Sequence, residues 1–149
     1  MQLSQKETEL LSDLREQEQL CIDKYEKHSA CAVDGQLKNL FTQIAGIERS
    51  HLDTINKIGQ GQVPATGGSP QPQPSFSAVY ANNKTPDKKN DCFLCTDLLT
   101  TEKHASHLYD TCVFEFTDEG VRRALNHIQS EEQGHGKMIY DYMKTNSMY

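Results

Sequence analysis

Apolar residues recur at helical spacing in two long segments, separated by a stretch that lacks the pattern. Leu10, Leu14, Cys21 and Tyr25 fall close to one stripe. The pattern breaks at Val33-Asp34-Gly35 and resumes with Leu37, Leu40, Phe41, Ile44, Ile47, Ile55 and Ile58. Near the end of the chain, Leu94, Leu98, Leu108, Tyr109 and Cys112 form a third stripe, and Val121, Leu125, Ile128, Ile139 and Met143 a fourth. Residues three and four apart share a helix face, so each stripe predicts an amphipathic helix. Start signals agree. Ser4-x-x-Glu7 is a capping box, Asp34 can cap the second helix, Asn90 or Asp91 the third, and Thr117 or Asp118 the fourth.

All five prolines lie between positions 64 and 86, in a stretch also rich in Gly, Gln, Ser and Asn. That composition reads as a linker. The predicted fold class is all-α, a four-helix bundle forming one domain over 1–149, with a helical hairpin over 4–58, a crossover over 59–90 and a second hairpin over 91–145. A crossover of that length reaches about 100 Å extended, far more than the roughly 38 Å of a 25-residue helix, so it can run the length of the bundle.

The two hairpins are copies. Residues 12–59 shifted by 84 lie on 96–143 without a gap. Nine positions are then identical: Asp13/Asp97, Leu14/Leu98, Glu18/Glu102, Tyr25/Tyr109, Asp34/Asp118, Ile44/Ile128, Glu48/Glu132, His51/His135 and Ile55/Ile139. Chance similarity would scatter. These matches fall on core positions, helix caps and polar residues of the inner faces, as an internal repeat requires.

Two of the repeated positions make Glu48-x-x-His51 and Glu132-x-x-His135, the only such pairs in the chain. Chance supplies about 0.4 pairs in a chain with this many Glu and His, so two at equivalent places are informative. On a helix each pair points one carboxylate and one imidazole the same way. Glu18 and Glu102 each stand 30 residues before the Glu of the pair in their half, which places them level with it across the hairpin. Four carboxylates and two imidazoles then converge inside a bundle. Four buried glutamates are untenable as bare anions, and two divalent cations would neutralise them. Four Glu with two His is the ligand set of di-iron and di-manganese bundle sites. Symmetry assigns Glu18 and His51 as end ligands of one metal, Glu102 and His135 of the other, and Glu48 and Glu132 as bridges. Iron and manganese both accept this set. Tyr25 and Tyr109, each two turns beyond its helix's glutamate, can hydrogen-bond a metal-bound carboxylate, with plain aromatic packing as the alternative. His28, His104, His107 and His127 have no counterpart in the other half and read as exposed or hydrogen-bonded.

Composition adds exclusions. A net charge of −6 offers no basic patch for nucleic acid. The apolar runs are too short for a bilayer. The N-terminus is charged and amphipathic, which predicts synthesis and folding in a cytosol. An odd set of cysteines at 21, 31, 92, 95 and 112 is no disulfide framework, and buried thiols are the plainer reading. Cys92-x-x-Cys95 near a helix N-terminus would favour a thiolate, which leaves a thiol oxidoreductase as a minor alternative.

Several segments resemble the bacterial spore coat F family. They are Asp97-Leu98-Leu99-x-Thr101-Glu102-Lys103, Phe114-Glu115-Phe116, Leu125-Asn126-His127-Ile128-Gln129-x-Glu131-Glu132-Gln133-x-His135-Gly136, and the ending Ile139-Tyr140-x-Tyr142-Met143. The likeness covers both hairpins and is most specific over 96–149. It implies a ferritin-like fold, a spore-forming bacterium and a product placed in or near the spore coat, with spore coat proteins as partners. A homo-oligomer stays open; nucleic acid and membrane are not expected partners. In the wider ferritin-like superfamily, which holds rubrerythrins, ferroxidases and manganese catalases, the Glu and Glu-x-x-His set binds metal. The matching positions are Glu18, Glu48, His51, Glu102, Glu132 and His135. The expected function is therefore a di-metal oxidoreductase acting on dioxygen or peroxide. The alternative from another class is a structural coat or interaction protein whose metal is structural or absent.

Overall fold

Four helices make up the computed structural model, which describes residues 1–149: α1 (Gln5–Cys31), α2 (Gly35–Gly59), α3 (Pro86–Glu115) and α4 (Glu119–Thr145). Each begins on a side-chain cap that satisfies otherwise unpaired N–H groups. Ser4 and Glu7 form the capping box of α1, and Asp34 and Asp118 cap α2 and α4. The third helix departs from expectation. Its cap is Thr85 and its first residue Pro86, not a start at Asn90 or Asp91. Proline lacks the N–H that the first turn leaves unpaired and its φ is already helical, so Pro86 opens the helix rather than ending the linker. Irregular chain therefore spans residues 60–85.

The helices run antiparallel between neighbours. α1 packs on α2 and α3, and α4 packs on α3 and α2. The chain leaves α2 through Gly61, whose φ of +80° is a left-handed conformation that glycine adopts without strain. It then travels up the groove between α2 and α4. Val63 lies against Gly120 so closely that a Cβ there would stand 2.5 Å from Val63 Cγ1. Gln71 reaches Glu131, Ser77 exchanges two hydrogen bonds with Gln36, and Phe76 packs edge-on against Tyr142 at 5.3 Å between ring centroids. Asn146 Oδ1 accepts from the backbone N–H groups of Val79 and Tyr80. The crossover thus returns the chain to the end where α2 began, and α3 runs parallel to α2.

Two apolar clusters fill the bundle, one toward each end. Tyr25, Leu37, Phe41, Ile44, Leu98, Ile139 and Tyr142 belong to one; Leu11, Leu14, Ile55, Tyr109, Phe116, Leu125 and Ile128 belong to the other. Between them lies a layer of buried carboxylates and imidazoles.

The repeat also staples the halves together. Glu7 on α1 accepts from the backbone N–H and hydroxyl of Thr117, in the turn between α3 and α4. Asp91 is its counterpart 84 residues on, and accepts from the backbone N–H groups of Val33 and Asp34 in the turn between α1 and α2. Tyr80 adds its hydroxyl to Asp91 at 2.6 Å. Asp91 is fully buried, so removing its carboxylate takes the acceptor from the Val33 and Asp34 N–H groups and the Tyr80 hydroxyl. Asp91→Ala should therefore cost roughly 2–4 kcal/mol in urea unfolding of the metal-free protein, against about 0.5 kcal/mol or less for the exposed neighbour Lys89→Ala. Equal midpoints for the two variants would show that the staple contributes nothing.

Candidate metal centre

Glu18 sits on α1, Glu48 and His51 on α2, Glu102 on α3, and Glu132 and His135 on α4. The hairpin turn at Val33-Asp34 sets Glu18 level with Glu48, and the turn at Thr117-Asp118 sets Glu102 level with Glu132. The crossover then brings the two levels together. All six side chains are buried. They form two overlapping groups, Glu18–Glu48–His51–Glu132 and Glu48–Glu102–Glu132–His135, and within each group the ligand atoms lie within 4.8 Å of one another. Glu48 and Glu132 are common to both.

Each imidazole turns its Nδ1 toward three carboxylates. His51 Nδ1 is 3.1 Å from Glu48, 3.2 Å from Glu132 and 3.8 Å from Glu18. His135 Nδ1 is 3.1 Å from Glu48, 3.2 Å from Glu102 and 3.6 Å from Glu132. One N–H can serve only part of such a ring of acceptors. The consequence is visible in the remaining atoms. Glu18 Oε2, Glu102 Oε2, both oxygens of Glu132 and His135 Nε2 are buried without a hydrogen bond. Buried polar atoms of that kind are normally paired. Both Glu132 oxygens lack hydrogen-bond geometry although His51 Nδ1 is within 3.2 Å of one of them. Orphaned oxygens converging from α1, α3 and α4 fit a cation, and the donor set of carboxylate oxygen and imidazole nitrogen suits iron or manganese.

The tyrosines point across the repeat rather than along their own helices. Tyr25 donates to Glu102, and Tyr109 to Glu18. Two turns along one helix is about 11 Å, too far for a tyrosine to reach its own helix's glutamate. Antiparallel packing of α1 on α3 instead brings each phenol to the glutamate of the other half. Burial, with Glu102 beside Tyr25 and Glu18 beside Tyr109, pushes both phenols up, so they act as donors.

Protons offset part of the charge of this layer. Burial raises Glu18 well above the usual carboxylate range, and Glu48 beside it adds to the shift. Burial and Glu132 do the same to Glu102. Glu48 and Glu132 go down: burial opposes this, but His135 and His51 at Glu48, and Glu102 with the two imidazoles at Glu132, outweigh it. Both imidazoles go well up against the burial penalty, because carboxylates surround them. The metal-free centre is thus driven toward two carboxylic acids, two carboxylates and two imidazolium rings, a neutral set.

Beyond the six residues, Glu131 meets the outer face of His51: Glu131 Oε1 is 3.2 Å from His51 Nε2. Sequence reasoning missed this residue. Its signal was available, since Glu131 directly precedes a repeated glutamate and its counterpart, 84 residues earlier, is Ile47. His127 is half exposed and contacts Glu131, His28 pairs with Asp97 at 2.8 Å, and His104 and His107 are exposed. The cysteines are all free. Because α3 starts at Pro86, Cys92 and Cys95 lie beyond its first turn, and burial together with Asp91 pushes the Cys95 thiol up. The helix N-terminus expected to favour a thiolate therefore lies at Pro86, away from both cysteines. Cys21 is buried one turn beyond Glu18, where burial and Glu48 likewise push its thiol up.

A cleft of about 260 Å³ opens between α3 and α4, lined by Glu102, Glu132, Lys103, Ser106 and Gln133 among others. No helix of the chain is long and apolar enough to cross a membrane.

The family model of the Coat F domain matches residues 90–149. That is α3 and α4, narrower than a likeness over both hairpins. No curated protein matches the chain. Among solved structures, a dodecameric thioferritin, the bacterioferritin-related protein from Bacteroides fragilis, is similar with a TM-score of 0.68 at 18% identity, over 93% of this chain and 84% of that one. With four helices, a lengthwise crossover and that structural likeness, the chain has the ferritin-like fold, and its second hairpin is matched by the Coat F domain model.

Proposed function

We propose that this chain is a spore-coat-associated di-metal protein that binds two iron or manganese ions and reacts with dioxygen or peroxide. The observation that carries the reading is the set of buried, unpaired carboxylate oxygens of Glu18, Glu102 and Glu132 within two overlapping groups of donors drawn from four helices. Glu18 and His51 would hold one ion, Glu102 and His135 the other, and Glu48 and Glu132 would span the pair. Two such ions supply the electrons, or accept them, when an O–O bond is made or broken.

The chain's own part is positioning and exclusion. Tyr25 and Tyr109 orient the end glutamates by donating to one oxygen of each, which leaves the other oxygen free. The apolar clusters above and below keep bulk water from the centre. The cleft at Glu102 and Glu132 suits a small molecule or an ion in size. Assembly from identical copies is supported by the dodecameric state of the similar thioferritin, and a place in the spore coat by the Coat F match.

A second reading has its own support. The Coat F match and the exposed Phe93 and Phe114 on α3 suit a structural coat protein whose metal only braces the bundle. Turnover separates the two. The ferrous protein, prepared anaerobically, should consume oxygen or peroxide over many cycles in the presence of a reductant. Consumption that stops at the amount of bound metal would favour the structural reading.

Metal content across substitutions tests the assignment. Wild type should hold two ions per chain. His51→Ala should weaken mainly one position and His135→Ala mainly the other, while Glu48→Ala or Glu132→Ala should empty both, because each removes a charge from between two dications. His104→Ala should leave two ions in place. Elemental analysis after desalting checks this, and full occupancy in both bridging variants would remove the proposed centre.

Proton balance gives an independent expectation. Four groups bind protons more tightly in the folded, metal-free chain: Glu18, Glu102, His51 and His135. Their contribution to stability is present below the ordinary values of 4.5 for Glu and 6.5 for His and is lost as pH rises toward the folded values. Glu48 and Glu132 act oppositely, on the acid side of 4.5. The metal-free melting temperature should therefore fall as pH rises from about 6 to about 9. Metal should release up to four protons per pair of ions, one from each of these groups, and should raise the melting temperature most at high pH. Calorimetry in buffers of different ionisation enthalpy counts the protons. Zero release, with a pH-independent melting temperature, would contradict the proposed charge state.

A further inference from the structure

The repeat's symmetry ends just outside the six residues. His51 and His135 both turn Nδ1 inward, and their rings stand nearly parallel, 5.8 Å apart. Their outer nitrogens differ. His51 Nε2 meets Glu131 Oε1 at 3.2 Å. His127 Nε2 approaches the same oxygen at 3.1 Å, and Gln71 Nε2 donates to Glu131 Oε2 at 3.0 Å. Glu131 is therefore held from α4 itself and from the crossover. His135 Nε2 is buried and makes no hydrogen bond. The residue whose place in the repeat corresponds to Glu131 is Ile47, which offers no acceptor.

We propose that Glu131 is a positioning residue that makes the two halves of the centre unequal, so that a divalent ion enters the Glu18–Glu48–His51–Glu132 position first and binds it more tightly than the Glu48–Glu102–Glu132–His135 position. The inference rests on the di-metal reading above. An imidazole that ligates through Nδ1 must carry its proton on Nε2. A carboxylate that accepts from Nε2–H fixes that tautomer, locks the ring's rotation and makes the inward nitrogen a better donor. Glu131 provides all of this for His51. For His135, inward ligation leaves a buried N–H with no acceptor, a disfavoured arrangement. The difference lies at one station of the repeat, Glu131 against Ile47, and Gln71 of the crossover helps hold Glu131 beside His51. Loss of an outer partner of this type typically weakens a metal position by roughly tenfold to a hundredfold.

Ring-nitrogen NMR of the metal-free, full-length chain with histidine labelled by ¹⁵N reads the loading order directly, with zinc chloride as the probe. One equivalent should move the His51 Nδ1 resonance and leave that of His135 in place; two equivalents should move both. Glu131 is partly exposed, so Glu131→Leu should fold, and there one equivalent should divide between the two rings. Ile47→Glu puts a carboxylate at the symmetric station facing His135. It should likewise even out the loading, by strengthening the second position instead of weakening the first. An even division in wild type, first occupancy at His135, or an unchanged loading order in Glu131→Leu would overturn the proposal while leaving the di-metal reading intact. Two equivalents that move neither ring would overturn both.

Discussion

Four glutamates and two histidines lie buried in a layer between two apolar clusters, and the rest of the structure is arranged around the charge of that layer. Carboxylates in such a place must be protonated, paired or neutralised by cations. Burial pushes Glu18 and Glu102 toward the protonated form and the surrounding carboxylates push His51 and His135 toward imidazolium, yet oxygens are still left unpaired. Helix ends have to be fixed because the layer has to be level. Asp34 and Asp118 turn the chain at opposite ends of the bundle, each at the same remove along the chain from its own half's glutamates, and Glu7 and Asp91 bind each turn to the opposite hairpin. The long crossover follows from the same demand, since α3 can bring Glu102 to the height of Glu48 only after the chain has returned along the bundle.

Much of this was legible in the sequence, for physical reasons that differ by residue. The helical stripes and the capping signals at Ser4, Asp34 and Asp118 are local, so spacing alone located three of the four helix starts. The repeat made the six-residue set legible, because identities at Glu18, Glu48 and His51 recur at Glu102, Glu132 and His135 where polar residues would otherwise be costly. The start of α3 was obscured by Pro86, which looks like linker until Thr85 is recognised as its cap. The tyrosines were found, but not their partners. Which glutamate a phenol reaches depends on the antiparallel register of α1 on α3, a tertiary fact. Glu131 was hidden for the opposite reason. It breaks the repeat, and reasoning from symmetry passes over what symmetry does not duplicate.

The ferritin-like fold therefore comes with a departure of its own. Two nearly equivalent halves build the inner layer, while Glu131, held by Gln71 of the crossover, gives an outer contact to His51 that His135 lacks. The Coat F match over 90–149 falls on the hairpin that contains both Glu131 and the exposed Phe114.

Anomalous diffraction from crystals of the protein, recorded at the absorption edge of iron or manganese after loading with that metal, locates bound ions directly. Two peaks should appear within the buried layer. One should lie among Glu18, Glu48, His51 and Glu132, and the other among Glu48, Glu102, Glu132 and His135. A layer without peaks in fully folded, metal-treated protein, or peaks confined to surface histidines such as His104 and His107, would contradict the di-metal reading.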